Sequence, residues 1–371
     1  MLENGKINTR QFILMVILYI VGTSILLAPS LLAYKAKQDA WIAAFLGVGI
    51  GLLIVRLYKT LGNLYPNMTL VEYSEKILGK WFGKVGSLFF FVFLFIQCAL
   101  VLRNIGDFMT TQIMPETPIQ AIHIFFMSIV IIGTRLGLEV LARSTEIFFP
   151  WVILLFLILV LSISPQIRFE NIQPVFEEGM KPVLEATIPF LAFPFLELVV
   201  FLMVFPFINR SKKIGKAFSI GVTSGGTMIV LIVTLSILVL GADMTERQIY
   251  PSFIMAKKIN VGNFLNRIEA IMGGIWIISI YFKLTICYYA SNLVLAQTLN
   301  LKEYRVLTLP LGIILIVLSL EVTPNIVYDL TVVPKAMTFL SLIFGLLFPL
   351  LLLGISFFRK NIEQKRNKIV K

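Results

Sequence analysis

The chain of 371 residues has little of what soluble enzymes use: one histidine, two cysteines, and charged side chains at only 14% of positions. His123, the single histidine, leaves almost no scope for histidine-based chemistry. The H-E-x-x-H, G-x-x-x-x-G-K-S/T and G-x-S-x-G motifs are also missing, so the expectation is a protein that is not an enzyme and carries no cofactor or metal centre. Cys98 and Cys287 allow at most one bridge, have no zinc-like spacing, and fall inside apolar runs, where they read as small apolar fillers. A soluble surface needs about a quarter of residues charged, and this chain falls well short of that. Nor is there the ten-residue alternation of an outer-membrane barrel.

What is there is apolar sequence, 58% of the chain, arranged in runs of about twenty residues. Such a run crosses ~30 Å of hydrocarbon as helix. The runs place spans at 12–33, 41–61, 84–111, 119–136, 139–163, 186–208, 217–241, 264–290, 304–321 and 335–358. This predicts an all-α polytopic membrane protein with a single transmembrane domain. Spans 12–163 and 186–358 form two five-helix halves, and 359–371 is a basic tail. The first span is longer than a signal-peptide core and is expected to be retained.

The net charge of +12 follows position. With the N-terminus placed in the cytoplasm, 21 Lys and Arg fall in inside segments and nine in outside segments, with Arg103 and Lys283 inside spans. That bias predicts both termini inside and membrane lipids, not nucleic acid, as the partner of the basic charge. Residues 69–79 read as a short amphipathic helix stopped by Gly79. The outer loop 242–263 contains P-S-F-I-M-A-K-K-I, expected to lie at the membrane surface.

Two spans carry helix breakers. In the first, Gly22, Thr23 and Ser24 sit near mid-span, and Pro29 removes the donor that the Ile25 carbonyl would use, so unwinding is expected around 22–25. In the sixth, Pro189 and Pro194 precede Glu197 at the span's centre. These are the opening helices of two halves that enter the membrane from opposite sides. Interrupted helices at such corresponding positions point to a central binding site of the transporter type. The alternative is a small-residue packing patch and ordinary kinks.

Ionisable side chains inside spans are costly and must be buried, paired or neutralised. Glu197 reads as a proton or ammonium acceptor, or as half of a structural pair. Lys283 reads as a snorkelling side chain, as a stand-in for a coupling cation, or as the partner of Glu197. Arg103 and Asp107, four apart on one helical face, read as a self-neutralising pair near the outer end. His123 is expected at the interface.

The stretch I-N-T-R-Q-F-I-L-M-V-I-L-Y-I-V-G-T-S-I-L-L-A-P resembles the start of the B subunits of GerA-type spore germinant receptors. So does residues 250–284, where Phe264, Leu265, Arg267, Glu269, Trp276, Phe282 and Lys283 match that family's pattern. The resemblance covers essentially the whole chain. It implies the amino acid–polyamine–organocation (APC) superfamily and a 5+5 inverted repeat of the leucine-transporter type with broken helices 1 and 6. It further implies a spore inner-membrane location, A and C receptor subunits as partners, and the sensing of a small nutrient. Carried over, the ligand site comprises Gly22, Thr23, Ser24, Ile25, Phe190, Phe193 and Pro194. Exposed amides of residues 24–26 would suit a carboxylate, which favours an amino acid. The competing reading is a proton-coupled amino acid transporter.

Overall fold

The computed structural model describes residues 3, 5–209, 213–258, 268–325, 328 and 331–369, with side chains to 359. Fourteen α-helices are described: α1 Thr9–Ala36, α2 Ala40–Leu64, α3 Leu70–Leu78, α4 Lys80–Phe108, α5 Ile119–Leu136, α6 Leu138–Ile163, α7 Met180–Phe190, α8 Ile214–Leu240, α9 Ala242–Arg247, α10 Pro251–Lys257, α11 Glu269–Thr298, α12 Arg305–Glu321, α13 Val333–Ser341 and α14 Phe348–Ile369. Among the described residues, eight segments are long and apolar enough to cross a membrane. The first of them, Thr9–Leu64, contains both α1 and α2, and the 17-residue α12 matches the remaining predicted span. Each of the ten predicted spans thus corresponds to apolar helix among the described residues, the eighth from Glu269 onward. The largest boundary shifts are at the tenth, whose last helix runs on to Ile369, the eighth, whose α11 runs on to Thr298, and the sixth, which begins at Met180.

The layering follows from which helices are apolar all round. α1 and α11 carry buried residues on every face and form the centre, as a helix without a polar stripe must. α1 packs mainly on α8 and α11, and α11 mainly on α1, α4 and α6. The outer helices keep one apolar face uncovered: Ile147, Trp151, Leu154, Leu157 and Leu161 of α6 are exposed. In a bilayer that face meets lipid tails at no cost.

The first and sixth spans behave differently. α1 is continuous from Thr9 to Ala36, so the unwinding expected at 22–25 does not occur. The carbonyl of Ile25, deprived of a donor by Pro29, accepts the Ser252 hydroxyl at 2.7 Å. That replaces the bond the proline removed. The sixth span is broken: α7 passes into a π-helical turn, Leu191–Phe195, and then a 3-10 helix, Leu196–Met203. Phe193 is extended (φ −136°, ψ 98°), the conformation that a following proline favours. A second π-helical turn, Leu342–Leu347, interrupts the tenth span. The Tyr58 hydroxyl spans these two irregular segments, 3.0 Å from the Leu196 carbonyl and 2.6 Å from that of Gly345.

Three surface expectations change or gain detail. α3 forms as predicted, with a Thr69–Glu72 capping box at its start and Gly79 at φ +90° after its end. The P-S-F-I-M-A-K piece does not lie on the membrane surface. It is α10, with Pro251, Ser252, Phe253, Met255 and Ala256 buried against α1, α8 and α11. His123, expected at the interface, is enclosed by protein. It is fully buried, with Nδ1 2.9 Å from Ser319 Oγ of α12 and its ring packed on Gly106.

At the end of the molecule that carries the N-terminal segment, Ile7 pairs with Ile208 in a short parallel bridge, and Lys6 Nζ donates to the Pro206 carbonyl at 3.1 Å. Glu3 accepts from the Gly5 amide at 2.8 Å, the Tyr304 hydroxyl at 3.1 Å and the Tyr289 hydroxyl at 3.3 Å. At the opposite end, Phe108 packs against Tyr250, Phe253 and Trp276 with ring centroids 4.4–5.1 Å apart.

Candidate functional site

The centre of the molecule is built where α1, the broken sixth span and α11 meet. Lys283 of α11 is fully buried, and its Nζ lies 2.7 Å from Glu197 Oε2, on the 3-10 helix that follows the break. Nζ also donates to Thr23 Oγ1 of α1 at 2.6 Å. It sits over two ring faces, Phe193 at 4.6 Å and Tyr19 at 5.2 Å from their centroids. Two desolvated charges inside apolar protein survive only when paired, and this pair has a hydroxyl and two aromatic faces besides. Lys283 is therefore paired with Glu197 inside the protein and does not snorkel.

Each predicted residue has a definite place. Gly22 is a packing position, not an unwound one: a Cβ there would stand 2.9 Å from both Cβ and Cδ of Lys283. Its lack of a side chain is what lets the lysine stem cross α1. Thr23 is buried and bonded to Lys283, while Ser24 is buried with no hydrogen-bond partner for its hydroxyl among the described residues. Because α1 is continuous, the amides of residues 24–26 belong to helix and are not free for a carboxylate. The Ile25 carbonyl is taken by Ser252. Phe190 and Pro194 are buried at the break, with Phe190 edge-on to Phe195 at 5.4 Å. Phe193 is half-buried.

Arg103 and Asp107 stand apart from this centre. Arg103 Nε is 3.0 Å from both Asp107 carboxylate oxygens, and its guanidinium also donates to the Leu320 carbonyl at 3.3 Å. Of the family-pattern residues, Phe264, Leu265 and Arg267 lie outside the described residues. Glu269, Trp276, Phe282 and Lys283 are on α11.

Three site residues escaped the sequence reading. Tyr19 stacks against Lys283 and receives a hydrogen bond from Gln97 at 3.2 Å. Cys287 Sγ approaches Gln97 Oε1 at 3.6 Å. Tyr19 is four residues before Thr23, and Cys287 four after Lys283, so each shares a helix face with a residue that was singled out. That spacing was the available signal. Gln97 was visible as an uncharged polar residue in an apolar span.

The fold is that of a polytopic helical membrane protein with a transporter-like architecture, and it seats an ion pair at a helix break. Comparison with solved structures agrees: the transporter MhsT in complex with L-phenylalanine superposes with a TM-score of 0.68 over 92% of this chain and 87% of that one, at 16% identity. At that identity the likeness establishes the leucine-transporter-type fold and nothing of the ligand. Residues 6–327 match the family model described as spore germination protein. The chain belongs to this spore germination family. It is 32% identical to spore germination protein KB of Bacillus subtilis (strain 168), covering 98% of each chain. It is 27% identical to spore germination protein YndE of the same organism, covering 97% of this chain and 99% of that one.

Proposed function

We propose that this chain is the nutrient-sensing subunit of a spore germination receptor, binding a small nutrient at the sixth-span break and triggering germination. The observation that carries this reading is the Lys283–Glu197 pair, held between three separate helical elements at that break. A charged pair buried at a helix interruption is costly, and such costs are characteristically kept where a ligand is recognised. The ligand class we favour is an amino acid: the site offers one cation, one anion and aromatic faces, and few hydroxyls for a sugar. The bound L-phenylalanine of the similarly folded MhsT fits that class.

The protein is multi-pass. We place both termini in the cytoplasm on the 21-to-9 distribution of basic residues, and the chain in the spore inner membrane with receptor A and C subunits as partners. Proton-coupled amino acid transport is the second reading, supported by the transporter fold and by Glu197. It requires Glu197 to leave Lys283 in each cycle.

The test is dipicolinic acid release from spores lacking this gene, challenged with single nutrients. Loss of response to one nutrient, restored by complementation, is the expected result. A full response to every nutrient, together with sustained amino acid uptake by the reconstituted protein, replaces the receptor reading with the transporter one.

A further inference from the structure

We infer that Lys283 and Glu197 are the two halves of a zwitterion receptor and that their mutual ion pair is its resting state. On binding, the pair parts: the ligand's carboxylate takes Lys283 and its ammonium takes Glu197. This rests on the amino acid reading above and assigns the two recognising groups.

Charge conservation is the first argument. The centre holds one positive and one negative side chain, both nearly without solvent exposure. A zwitterion brings the same two charges, so one internal pair is exchanged for two intermolecular pairs and no buried charge is left alone. A ligand with only a positive or only a negative group strands Lys283 or Glu197, which a buried site tolerates poorly.

The geometry of the pair is the second argument. Although Nζ and Oε2 are 2.7 Å apart, Oε2 accepts no aligned hydrogen bond among the described residues. The lysine's well-formed bond goes to Thr23. The contact is therefore charge against charge, and Oε2 retains acceptor capacity for an incoming ammonium. Thr23 and the Tyr19 and Phe193 rings would go on holding a cation beside Glu197 while the pair is open.

The scaffold lets the pair part. Glu197 rides on the short helix after the break, Lys283 on α11, and Thr23 and Tyr19 on α1. Parting the charges needs one short segment to shift, with no long helix broken. Phe193 has the non-helical backbone, is half-buried, and covers Lys283, so it is the side from which a ligand reaches the pair. Parting the pair then moves the segment 196–203, which gives binding a mechanical consequence.

The test uses spores carrying the full chain in its own membrane. Each of the twenty L-amino acids is scored for dipicolinic acid release that depends on this gene. Every responder is then compared with its methyl ester, a lone cation, and its deaminated acid, a lone anion. The half-maximal concentration of both analogues is expected to rise about 100-fold or more, as for a partner removed from a buried charge pair. Lys283→Met should reverse the preference toward the ester, and Glu197→Gln toward the acid. A purely structural clamp would not invert selectivity. Lys283→Gln and Glu197→Leu serve in place of any variant absent from the membrane by immunoblot. An analogue within about threefold of its parent, a difference well under 1 kcal/mol, overturns the inference and leaves the amino acid reading standing. So do variants that keep the parent's preference. Absence of any gene-dependent amino acid response overturns both.

Discussion

α1 and the sixth span both carry proline inside an apolar run, yet one stays whole and the other breaks. The difference lies in what surrounds each proline. α1 has a single proline, and the carbonyl it orphans is met by a hydroxyl 227 residues further along the chain. The sixth span has Pro189 and Pro194 five residues apart, and the backbone at Phe193 leaves helical geometry altogether. In α1 the orphaned carbonyl has a donor and the helix stays whole, while in the sixth span two closely spaced prolines flank the break. The broken span then supplies Glu197, and the whole span supplies the groove, at Gly22, in which the lysine stem lies.

The charged pair is where substitution costs most. Lys283→Ala leaves Glu197 buried without a cation and is expected to cost about 3–5 kcal/mol, read as a lowered unfolding midpoint in detergent. The double variant Lys283→Met/Glu197→Leu should recover most of that loss while failing to respond to nutrient. Gly22→Leu pushes a side chain into the lysine stem. It should cost about 1–3 kcal/mol and abolish the nutrient response, since no well-packed core absorbs such a volume freely. A normal germination response in spores carrying Gly22→Leu would separate the groove from function.

Two smaller changes sharpen the contrast between the spans. Tyr58→Phe removes the hydroxyl shared by Leu196 and Gly345 and should destabilise by about 1–3 kcal/mol. Its signature is faster hydrogen exchange in the segment after the break, with α1 unchanged. Ser252→Ala should cost about 1 kcal/mol by orphaning the Ile25 carbonyl. In a Pro29→Ala background residue 29 supplies its own amide, so Ser252→Ala should then cost close to nothing. Equal costs in both backgrounds, measured by thermal unfolding, would remove the stated reason for α1 staying whole.

The two ends of the molecule close by different chemistry. One is held by hydrogen bonds to Glu3 and from Lys6 and Ile7, and the other by the aromatic group around Phe108. Little of this was legible beforehand. Glu3 reads as a surface charge in a polar terminus until Tyr289 and Tyr304, almost three hundred residues later, converge on it. α10 has the apolar face of a surface helix, and only the tertiary structure shows that the face is spent on α1 and α11.

The sequence by itself determined the membrane class, the ten spans, the broken sixth helix and the identity of the two costly charges. Each follows from local rules: hydrocarbon thickness sets span length, proline marks where a helix is weakened, and a bilayer penalises every charge it encloses. The tertiary structure decided that α1 does not break, that His123 and α10 are buried, and that Lys283 meets Glu197 instead of reaching for the membrane surface. Those outcomes rest on donors and acceptors brought together from distant parts of the chain. A buried polar group is settled by whatever partner the fold brings within about 3 Å, and sequence spacing carries no record of that meeting.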